Sequence, residues 1–588
     1  MSYSGKCIYF DLSNHKFEIK ESDKILQKEF IGGKGLGFAL LDKIAPNPDP
    51  LGPDNPMIFV NGPFTCTKVQ TSARTTMVTK SPLTCSIHDS HSGGYFGPAL
   101  QRTGYDYIVI TGKSKNPVYL YISDKEIKIL DAANLWGKGI FDATDELMSR
   151  HKGIDPRVAV IGQAGENLSF MSCISVDKHR NFGRGGVGAV MGSKNLKAIV
   201  CDGSTPVKYA DAEKFAEVNK KFTADILNNA GVKFRRQKGT MKCIRSGQAA
   251  EMLPVKNFQA ITTDRWESVS SETAREKLNW EDTACFGCAI RCSKWARWDG
   301  HEIEGPEYET TAFLGTNCEI YNIKDVAWAN EMCNDLGFDT ISVGSTIGFA
   351  MECFEKGLVD DWHGIDMKWG NSEAQREFIK RMASRENIGD VFTDGSRIAA
   401  MKIGKGSEDF AINIYGMEIS GINPKGALTF GVAMAVADFA SHTRLWIAEQ
   451  EFGPEFKIED ITNAVIEGID TVNARNSLVI CDFVPLNLDN LAEILSTVTG
   501  YEYTGKSLLK TGTKIAHLAR RYNIRNGRTH FDDTLPGRFF NEESLAGFMR
   551  GKKLDRKTFS ELVSKIYSAR NWNEKGEPTQ SILKEFNL

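Results

Sequence analysis

Three cysteines fall within eight residues of this 588-residue chain, in the segment CFGCAIRC at residues 285–292. Thiolates at such spacing are typical of metal ligands, but three of them leave a four-ligand site incomplete. The missing ligand must come from a distant part of the chain or from outside it. We therefore expect a fold that brings a remote residue to Cys285, Cys288 and Cys292.

The other cysteines and the overall charge narrow the class of protein. The chain has 13 cysteines and starts with an alternating, charged segment that does not resemble a signal peptide. We therefore predict a cytoplasmic protein without a disulfide scaffold, in which Cys173, Cys201 and Cys353 are buried thiols. A net charge of −3 and the lack of a ~20-residue apolar run indicate neither a nucleic acid nor a membrane partner.

The pattern of apolar and polar residues changes after about residue 205. Before it, strand-like segments such as CIYFDL and KFEIKE alternate with turns and glycine-rich stretches. After it, helical spacing dominates, as in DAEKFAEVNKKFTADILNNA, VAWANEMCNDLG and NEESLAGFM. We predict an α+β protein with a β-rich domain at residues 1–205 and two mainly helical domains at residues 206–410 and 411–588.

The cysteine spacing alone leaves two kinds of metal site open. Zinc would need a second cysteine or histidine pair, and none follows nearby; His301 lies in a polar, loop-like stretch. An iron–sulfur cluster with three local ligands and one remote ligand is favoured, by about two to one. The candidates for the remote ligand are Cys318, Cys333, Cys353 and Cys481, and spacing does not choose among them.

A glycine-rich segment matches a dinucleotide-binding pattern only superficially. Gly183, Gly185 and Gly188 fit G-x-G-x-x-G, and Asp202 lies where a ribose-binding acid would be expected. However, DKHRNF separates the segment from the preceding apolar run, so we predict that no strand leads into Gly183. Arg180 and Arg184 flank the glycines, which suits a loop that binds phosphates of another cofactor.

Six segments, spread in order over nearly the whole chain, resemble the tungsten-containing aldehyde:ferredoxin oxidoreductase family. They are SGGYFG (92–97), GRGGVGAVMGSKNLKAI (183–199), CFGCAIRC (285–292), EGPEYE (304–309), DLGFDT (335–340) and DDTLP (532–536). The resemblance implies that the β-rich domain cradles a tungsten bis-pterin cofactor, with molybdenum as an alternative, beneath the helical domains. It also implies a [4Fe–4S] cluster and allows for a Mg²⁺ ion that bridges the pterin phosphates.

The resemblance assigns expected roles to individual residues. Cys481 falls at the place of the family's fourth cluster cysteine and would join Cys285, Cys288 and Cys292. Arg74 would lie between the cluster and a pterin. The residues expected to contact the pterins and their phosphates are Arg74, His91, Gly93, Arg180, Asn181, Gly183, Arg184, Asn334, Phe338, Asp339, Arg444, Asn476 and Asp482.

The chain departs from the family pattern at several of these positions. The family's pterin motifs run Asp-x-x-Gly-Leu-Asp/Cys, whereas both leading positions here are asparagines, Asn334 and Asn476. Val479 replaces the second glycine. Asp438 stands where the family often has arginine, with Arg444 as a basic replacement nearby. These departures indicate a divergent branch and leave the substrate and the preferred metal open.

Glu309 and His442 match the family's acid–base pair. The implied reaction is the interconversion of aldehydes and carboxylic acids, with electrons leaving singly through the cluster to ferredoxin or a ferredoxin-like subunit. One alternative is a catalytic subunit of a larger complex acting on another acyl or aromatic substrate. Two others are a nicotinamide-dependent dehydrogenase with structural zinc and a non-catalytic iron–sulfur carrier. A homo-oligomer is left open.

Overall fold

The N-terminal part of the chain is built on largely buried strands, most of them apolar. The computed structural model describes residues 2–440, 451, 453, 455–485 and 487–588. Two mixed sheets come first and a mostly helical region follows, so the predicted α+β class is confirmed. The domain boundaries near residues 205 and 410 stay predictions.

The first sheet begins with the hairpin that the alternating N-terminal sequence predicts. Its six strands are β1 (Lys6–Asp11), β2 (Lys16–Glu21), β3 (Met57–Val60), β4 (Thr75–Lys80), β5 (Ile87–Ser92) and β6 (Tyr107–Thr111). Their order is β2-β1-β6-β3-β4-β5, with β1 and β6 parallel and the other neighbours antiparallel. The polar edge strand β2 is exposed, whereas β3 and β4 are buried along their whole length.

The second sheet packs against the first through a shared apolar core. Its strands are β7 (Val118–Ser123), β8 (Ile127–Asp131), β9 (Arg157–Val160), β10 (Ile174–Val176), β11 (Arg180–Phe182) and β12 (Leu196–Asp202). Their order is β11-β10-β9-β12-β7-β8. The rings of Phe59 and Phe182 meet edge to face, with centroids 5.5 Å apart, and so join the two sheets.

Six helices accompany these strands: α1 (Lys24–Phe30), α2 (Gly33–Ile44), α3 (Phe96–Arg102), α4 (Ile140–Arg150), α5 (Gln163–Glu166) and α6 (Val187–Ser193). In contrast to the prediction, a strand does lead directly into Gly183, because β11 ends at Phe182. That strand pairs antiparallel with β10 and is not a neighbour of β12, so the parallel βαβ unit of a dinucleotide site is absent here. Asp202 accepts hydrogen bonds from the backbone N–H groups of Ile154 and Asp155, both at 3.0 Å.

The remaining elements form the mostly helical region. Its helices are α7 (Ala212–Asn228), α8 (Ala230–Lys238), α9 (Lys242–Ala249), α10 (Ser271–Lys277), α11 (Tyr308–Leu314), α12 (Ile323–Leu336), α13 (Thr340–Glu355), α14 (Ser372–Ser384), α15 (Ile388–Phe392), α16 (Ser396–Ile403), α17 (Leu428–Val436), α18 (Ile461–Leu478), α19 (Leu488–Thr499), α20 (Gly505–Arg525), α21 (Arg538–Asn541), α22 (Arg556–Ala569) and α23 (Gln580–Glu585). Its short strands are β13 (Glu281–Thr283), β14 (Ser293–Trp298), β15 (His301–Glu304), β16 (Asn413–Ile414) and β17 (Met417–Glu418).

Local sequence patterns predict helix α7 correctly but predict one helix that the structure does not have. Asp211 caps α7, the helix predicted over DAEKFAEVNKKFTADILNNA, since its side chain accepts from the backbone N–H of Lys214 at 3.0 Å. The prediction of a helix over NEESLAGFM is wrong: α21 ends at Asn541, and turns follow. Gly547 adopts a φ of +78°, and an isolated bridge joins Ser544 to Arg550. In the part of the chain that is described, no helix is both long and apolar enough to cross a bilayer.

A buried ion pair ties α13 to α21. Arg538 donates to both carboxylate oxygens of Glu352, at 2.8 and 2.5 Å, and each side chain is only 1% exposed. Burial alone would raise the pKa of Glu352, but the hydrogen bonds and charge of Arg538 outweigh it and hold that pKa below its usual range. The pair is thus fully formed at neutral pH.

Replacing Glu352 by glutamine is expected to lower the free energy of unfolding by ~3 kcal/mol, because Arg538 would lose its buried counter-charge and keep only Glu542, whose side chain is 40% exposed. The folded-state pKa is the depressed one, so this stabilisation is present above the ordinary glutamate pKa of ~4.3 and is lost as pH falls through the lower value. Urea midpoints at pH 7 would measure the loss. Glu355 lies on the same helix but is exposed, so Glu355→Gln should cost no more than ~0.5 kcal/mol.

Candidate functional site

A cavity of about 390 Å³ lies where the two sheets meet the helical region. Its wall combines the ends of β4 and β5, the Gly183 loop, the turn between α8 and α9, the cysteine segment, the first turns of α11 and α13, and the end of α18. A second cavity of about 130 Å³ adjoins it and shares the stretch from His179 to Gly183. The larger cavity alone has the size of an ordinary small-molecule site.

The structure brings most of the predicted residues to this place. The following line the larger cavity: Arg74, His91, Gly93, Arg180, Asn181, Gly183, Arg184, Cys285, Cys288, Cys292, Glu309, Asp339, Asn476 and Cys481. Asn334 and Phe338 line the adjoining one. Asp482 pairs with Arg74, at 3.1 Å between Nη2 and Oδ1. The predicted His442 and Arg444 lie outside the described residues.

Backbone contacts hold the four lining cysteines around one N-terminal segment. The N–H of Ala289 donates to the side-chain oxygen of Gln70 at 2.9 Å, and the N–H of Cys481 donates to the carbonyl of Thr71 at 3.3 Å. Of the four candidates for a remote ligand, Cys481 alone lines the cavity with the local three. Cys318, Cys333 and Cys353 are buried in the core of the helical region instead.

The four thiols are partly buried at the cavity wall. Among the residues described, no three His, Cys, Asp or Glu side chains converge closely enough to hold a single metal ion. Burial raises the pKa of Cys481 to about 12, against the opposing charge of Arg74.

Three arginines of the cavity wall are each paired with a carboxylate. Arg74 pairs with Asp482, Arg180 donates to Glu304, and Nε of Arg184 donates to Asp339 at 3.0 Å. Burial alone would lower the pKa of Arg180. The negative charges of Cys285 and Glu304 outweigh that effect and raise it, so the guanidinium stays charged.

Arg184 is more engaged with the protein than a phosphate-binding residue needs to be. Besides Asp339, it donates to the carbonyls of Ala440 and Glu418 and to the hydroxyl of Ser342. Four of its five N–H donors are therefore used by the chain itself. The fifth donor has no partner among the described residues, and Arg184 also holds the Gly183 loop onto the helical region.

Two glycines leave room at the cavity wall for different reasons. A Cβ at Gly93 would stand 2.9 Å from the sulfur of Cys285, so this glycine lets the cysteine segment approach the first sheet. A Cβ at Gly183 would meet only the Cβ of Asn181, at 4.0 Å. Any side chain at position 183 would thus project into the cavity, and its absence keeps that volume for a ligand.

The two related motifs both end a helix. Gly337 follows α12 and Val479 follows α18, each in the left-handed region, with φ of +84° and +57°. A β-branched residue is strained there by ~1–2 kcal/mol. Cγ2 of Val479 fills the space that Gly33 and Gly62 leave, since a Cβ at either would stand within 2.6 Å of it. Packing therefore offsets the departure from glycine.

Asp438 belongs to a buried chain of charges that reaches the cavity. Its Oδ2 lies 2.7 Å from Nζ of Lys34, which in turn lies 3.8 Å from Oδ1 of Asp89. The other oxygen of Asp89 contacts Nε2 of His91 at 2.7 Å. Lys34 thus supplies the positive charge at this position, where the family pattern has arginine.

Sequence patterns missed several cavity residues. Glu307 accepts hydrogen bonds from the hydroxyls of Thr240 and Ser293. His179 lines both cavities, and its buried Nδ1 has no partner within the described ranges. Burial lowers the pKa of His179 to about 4, so the ring is neutral at pH 7. Its place beside Arg180 in DKHRNF is the one signal that could have indicated it.

The catalytic candidate Glu309 stands in the first turn of α11. Its Oε2 accepts from the backbone N–H of Gly421 at 2.8 Å. The preceding Tyr308 donates its hydroxyl to the carbonyl of the same glycine. These contacts fix the carboxyl group at the cavity wall through one oxygen.

The lining residues fit a bis-pterin and an iron–sulfur cluster. The donor set is four thiols for a cluster, charged guanidinium groups for phosphates, and amide and carboxylate groups for a heterocycle. Nδ1 of His179, which has no partner among the described residues, and the open space beside Gly183 both suit a polar ligand.

Comparisons with known proteins agree with this arrangement. Sequence models described as the N-terminal domain and as domains 2 and 3 of aldehyde ferredoxin oxidoreductase match residues 7–203 and 217–588. The tungsten-containing aldehyde ferredoxin oxidoreductase of Pyrococcus furiosus is 35% identical, covering 99% of this chain and 98% of its own. An aliphatic sulfonate oxidoreductase WOR-like subunit of the same organism is 28% identical, covering 100% and 97%.

A solved structure shares the fold. The active-site complex BamBC of benzoyl-coenzyme A reductase superposes with a TM-score of 0.86 at 23% identity, covering 100% of this chain and 97% of that one. That likeness concerns the fold alone. The two sequence models and the full-length relatives together show that this chain is an enzyme of the aldehyde ferredoxin oxidoreductase family.

Proposed function

We propose that this enzyme interconverts aldehydes and carboxylic acids at a tungsten bis-pterin centre and passes the electrons through a [4Fe–4S] cluster to ferredoxin. The observation that carries the proposal is that four cysteines and Glu309 line one cavity although they lie up to 196 positions apart, from Cys285 to Cys481. The reaction is RCHO + H₂O → RCOO⁻ + 3 H⁺ + 2 e⁻, which balances in atoms and charge.

The residues proposed to hold the cofactors follow from the chemistry of the wall. The thiols of Cys285, Cys288, Cys292 and Cys481 would bind the cluster, and Arg74 would stand between cluster and pterin. Phosphates and pterin edges would contact the expected set, which is His91, Gly93, Arg180, Asn181, Gly183, Arg184, Asn334, Phe338, Asp339, Arg444, Asn476 and Asp482. When bound, tungsten bis-pterin supplies the two-electron redox chemistry. A bridging Mg²⁺ stays a prediction.

Glu309 is proposed as the general base. The backbone N–H of Gly421 holds its Oε2 at the cavity wall, and the carboxylate would take the proton from water or from the hydrated aldehyde. His442 is proposed to hydrogen-bond the developing oxyanion or to shuttle the proton, and a His442→Ala variant should lose less activity than a Glu309 variant.

One relative favours a second candidate function. The 28%-identical sulfonate oxidoreductase is named as a subunit, which implies a partner chain in that enzyme. This chain could likewise be the catalytic subunit of a larger complex acting on another substrate. Purification from the native source under anaerobic conditions distinguishes the two: a stoichiometric companion subunit, together with no aldehyde oxidation, would favour this second function.

Metal analysis of anaerobically purified protein tests the proposed function. We expect tungsten, or molybdenum in its place, with about four irons per chain and two pterins, because the wall provides four thiols for a single cluster. Aldehydes should reduce benzyl viologen, and NAD(P)⁺ should not substitute for it. Zinc without tungsten, molybdenum or pterin would contradict the proposal, and so would a fully metallated enzyme that oxidises no aldehyde.

A further inference from the structure

The cavity wall formed by α8, α9 and the turn between them is unusually basic. Residues 226–250 contain six lysines and arginines and no aspartate or glutamate, in a chain with a net charge of −3. Two of the six, Lys238 and Arg245, face outward and pair with Glu272 at 3.1 and 3.2 Å. Arg235 and Lys242 instead line the cavity, beside Thr240 and Cys243.

This wall is fixed next to the proposed general base. The hydroxyl of Thr240 accepts from the N–H of Tyr308 at 2.9 Å. The hydroxyl of Thr311 donates to the sulfur of Met241 at 2.8 Å. These two contacts join the residues immediately before Lys242 to α11, the helix that carries Glu309.

The charges that act on Cys243 agree with these two contacts. Burial raises the pKa of the Cys243 thiol, and the charges of Lys242, Arg235 and Glu309 all act on it as well. Two cations and one carboxylate thus act electrostatically on one thiol, and all four groups line the cavity. Lys242 and Glu309 therefore border the same part of the cavity.

Lys242 differs from the arginines on the other walls. Arg74, Arg180 and Arg184 each have a carboxylate partner, as described above. Lys242 has no ion pair and no side-chain hydrogen bond within the residues that the structure describes, although its side chain is half-buried. A half-buried cation without a counter-charge at the edge of a ligand cavity is suited to an anionic ligand.

We propose that the substrate carries a second, permanently negative group away from the reacting carbonyl, and that Lys242 pairs with it. The substrate class is thus an aldehyde that bears a carboxylate, or the corresponding diacid. This inference rests on the proposed function and narrows its substrate. Lys242 is a specificity-determining residue here, and Arg235 lines the same wall with its guanidinium 4.1 Å over the ring of Phe483.

The test compares anionic aldehydes with neutral partners of nearly equal size. Glyoxylate, succinic semialdehyde and 4-carboxybenzaldehyde place the carboxylate at three distances from the aldehyde, and each has a methyl ester without the charge. With benzyl viologen as acceptor, at least one anion should show a kcat/KM ~10-fold or more above that of its ester, the value of one charge-assisted hydrogen bond. Added salt should lower the anion's kcat/KM and leave the ester's unchanged.

Substitutions of Lys242 test whether this residue causes the preference for anionic aldehydes. Lys242→Met should abolish the difference by lowering kcat/KM for the anion only, Lys242→Arg should keep it, and Lys242→Glu should reverse it. Lys233 lies on the same basic segment but is exposed and outside the cavity, so Lys233→Met should behave as the wild type. Calorimetric binding of terephthalate should weaken in Lys242→Met by a similar factor, without any turnover.

Four results would overturn the inference. The first is an equal kcat/KM for anions and esters in the wild type, and the second is an equal loss of kcat/KM for both in Lys242→Met. The third is loss of tungsten or iron from Lys242→Met. The fourth is a lower activity of that variant that appears only when ferredoxin replaces viologen as the acceptor. If esters and anions are oxidised equally well, the proposed function stands and the inference falls. If the metallated enzyme oxidises none of the six compounds, both fall.

Discussion

Replacing Glu309 by glutamine is expected to lower kcat for aldehyde oxidation by ~10²–10⁴-fold, the usual contribution of a general acid or base. This corresponds to ~3–5 kcal/mol of activation free energy. Glutamine keeps the size of the side chain, and its oxygen can still accept from the N–H of Gly421, as Oε2 of Glu309 does at 2.8 Å. It cannot accept a proton at neutral pH. The fold of α11 should therefore survive while the base is lost.

The measurement is anaerobic turnover with benzyl viologen, alongside tungsten, pterin and iron content. Glu302 is a suitable control, because it is an exposed glutamate on β15 and does not line the cavity. Glu302→Gln should keep wild-type turnover. Near wild-type turnover in a fully metallated Glu309→Gln enzyme would remove Glu309 from the mechanism. Loss of metal in that variant would make Glu309 a structural residue instead.

The second large effect concerns Cys481. Cys481→Ala should lose about one iron in four or the whole cluster, because a [4Fe–4S] cluster normally takes one cysteine per iron. Aldehyde oxidation with viologen should fall in parallel, since electrons would no longer leave through an intact cluster. Iron content per chain and the EPR spectrum of the dithionite-reduced protein measure the change.

Cys333 provides the matched control. It is a fully buried cysteine in the core of the helical region and does not line the cavity, so Cys333→Ala should keep all the iron. Both variants remove one thiol from the interior, so a general folding defect would affect both. If Cys481→Ala retained wild-type iron and an unchanged spectrum while Cys333→Ala lost them, the ligand set would have to be reassigned.

Local features of the fold were predictable because they depend on neighbours in sequence. The alternation of apolar and polar residues predicted the hairpin of β1 and β2. The helical spacing that follows Asp211 predicted α7. Strand β11 was missed because it has three residues and forms only by pairing with β10. The segment NEESLAGFM has helical composition, yet Gly547 at φ +78° belongs to a turn.

The candidate site was accessible to sequence only through its motifs. Spacing predicted that three cysteines needed a remote partner, and the family resemblance indicated Cys481, which the structure then places at the same cavity. No motif pointed to His179 or Lys242, because their positions depend on contacts between segments far apart in the chain. The left-handed Val479 could not be foreseen either, since its compensation is the space beside Gly33 and Gly62.

Helix α20, which comes late in the chain, packs on α2 beside the first sheet, and this has a consequence for synthesis. Tyr522 donates to the carbonyl of Ala45, and Arg521 contacts Asp42 at 2.5 Å, so α20 packs on α2. During translation, the N-terminal sheet emerges from the ribosome long before this cover exists. Its apolar α2 face therefore stays exposed until the last part of the chain is made. Asn476 and Cys481 of the cavity wall lie in the last fifth of the sequence, so the cavity is complete only when nearly the whole chain has been synthesised.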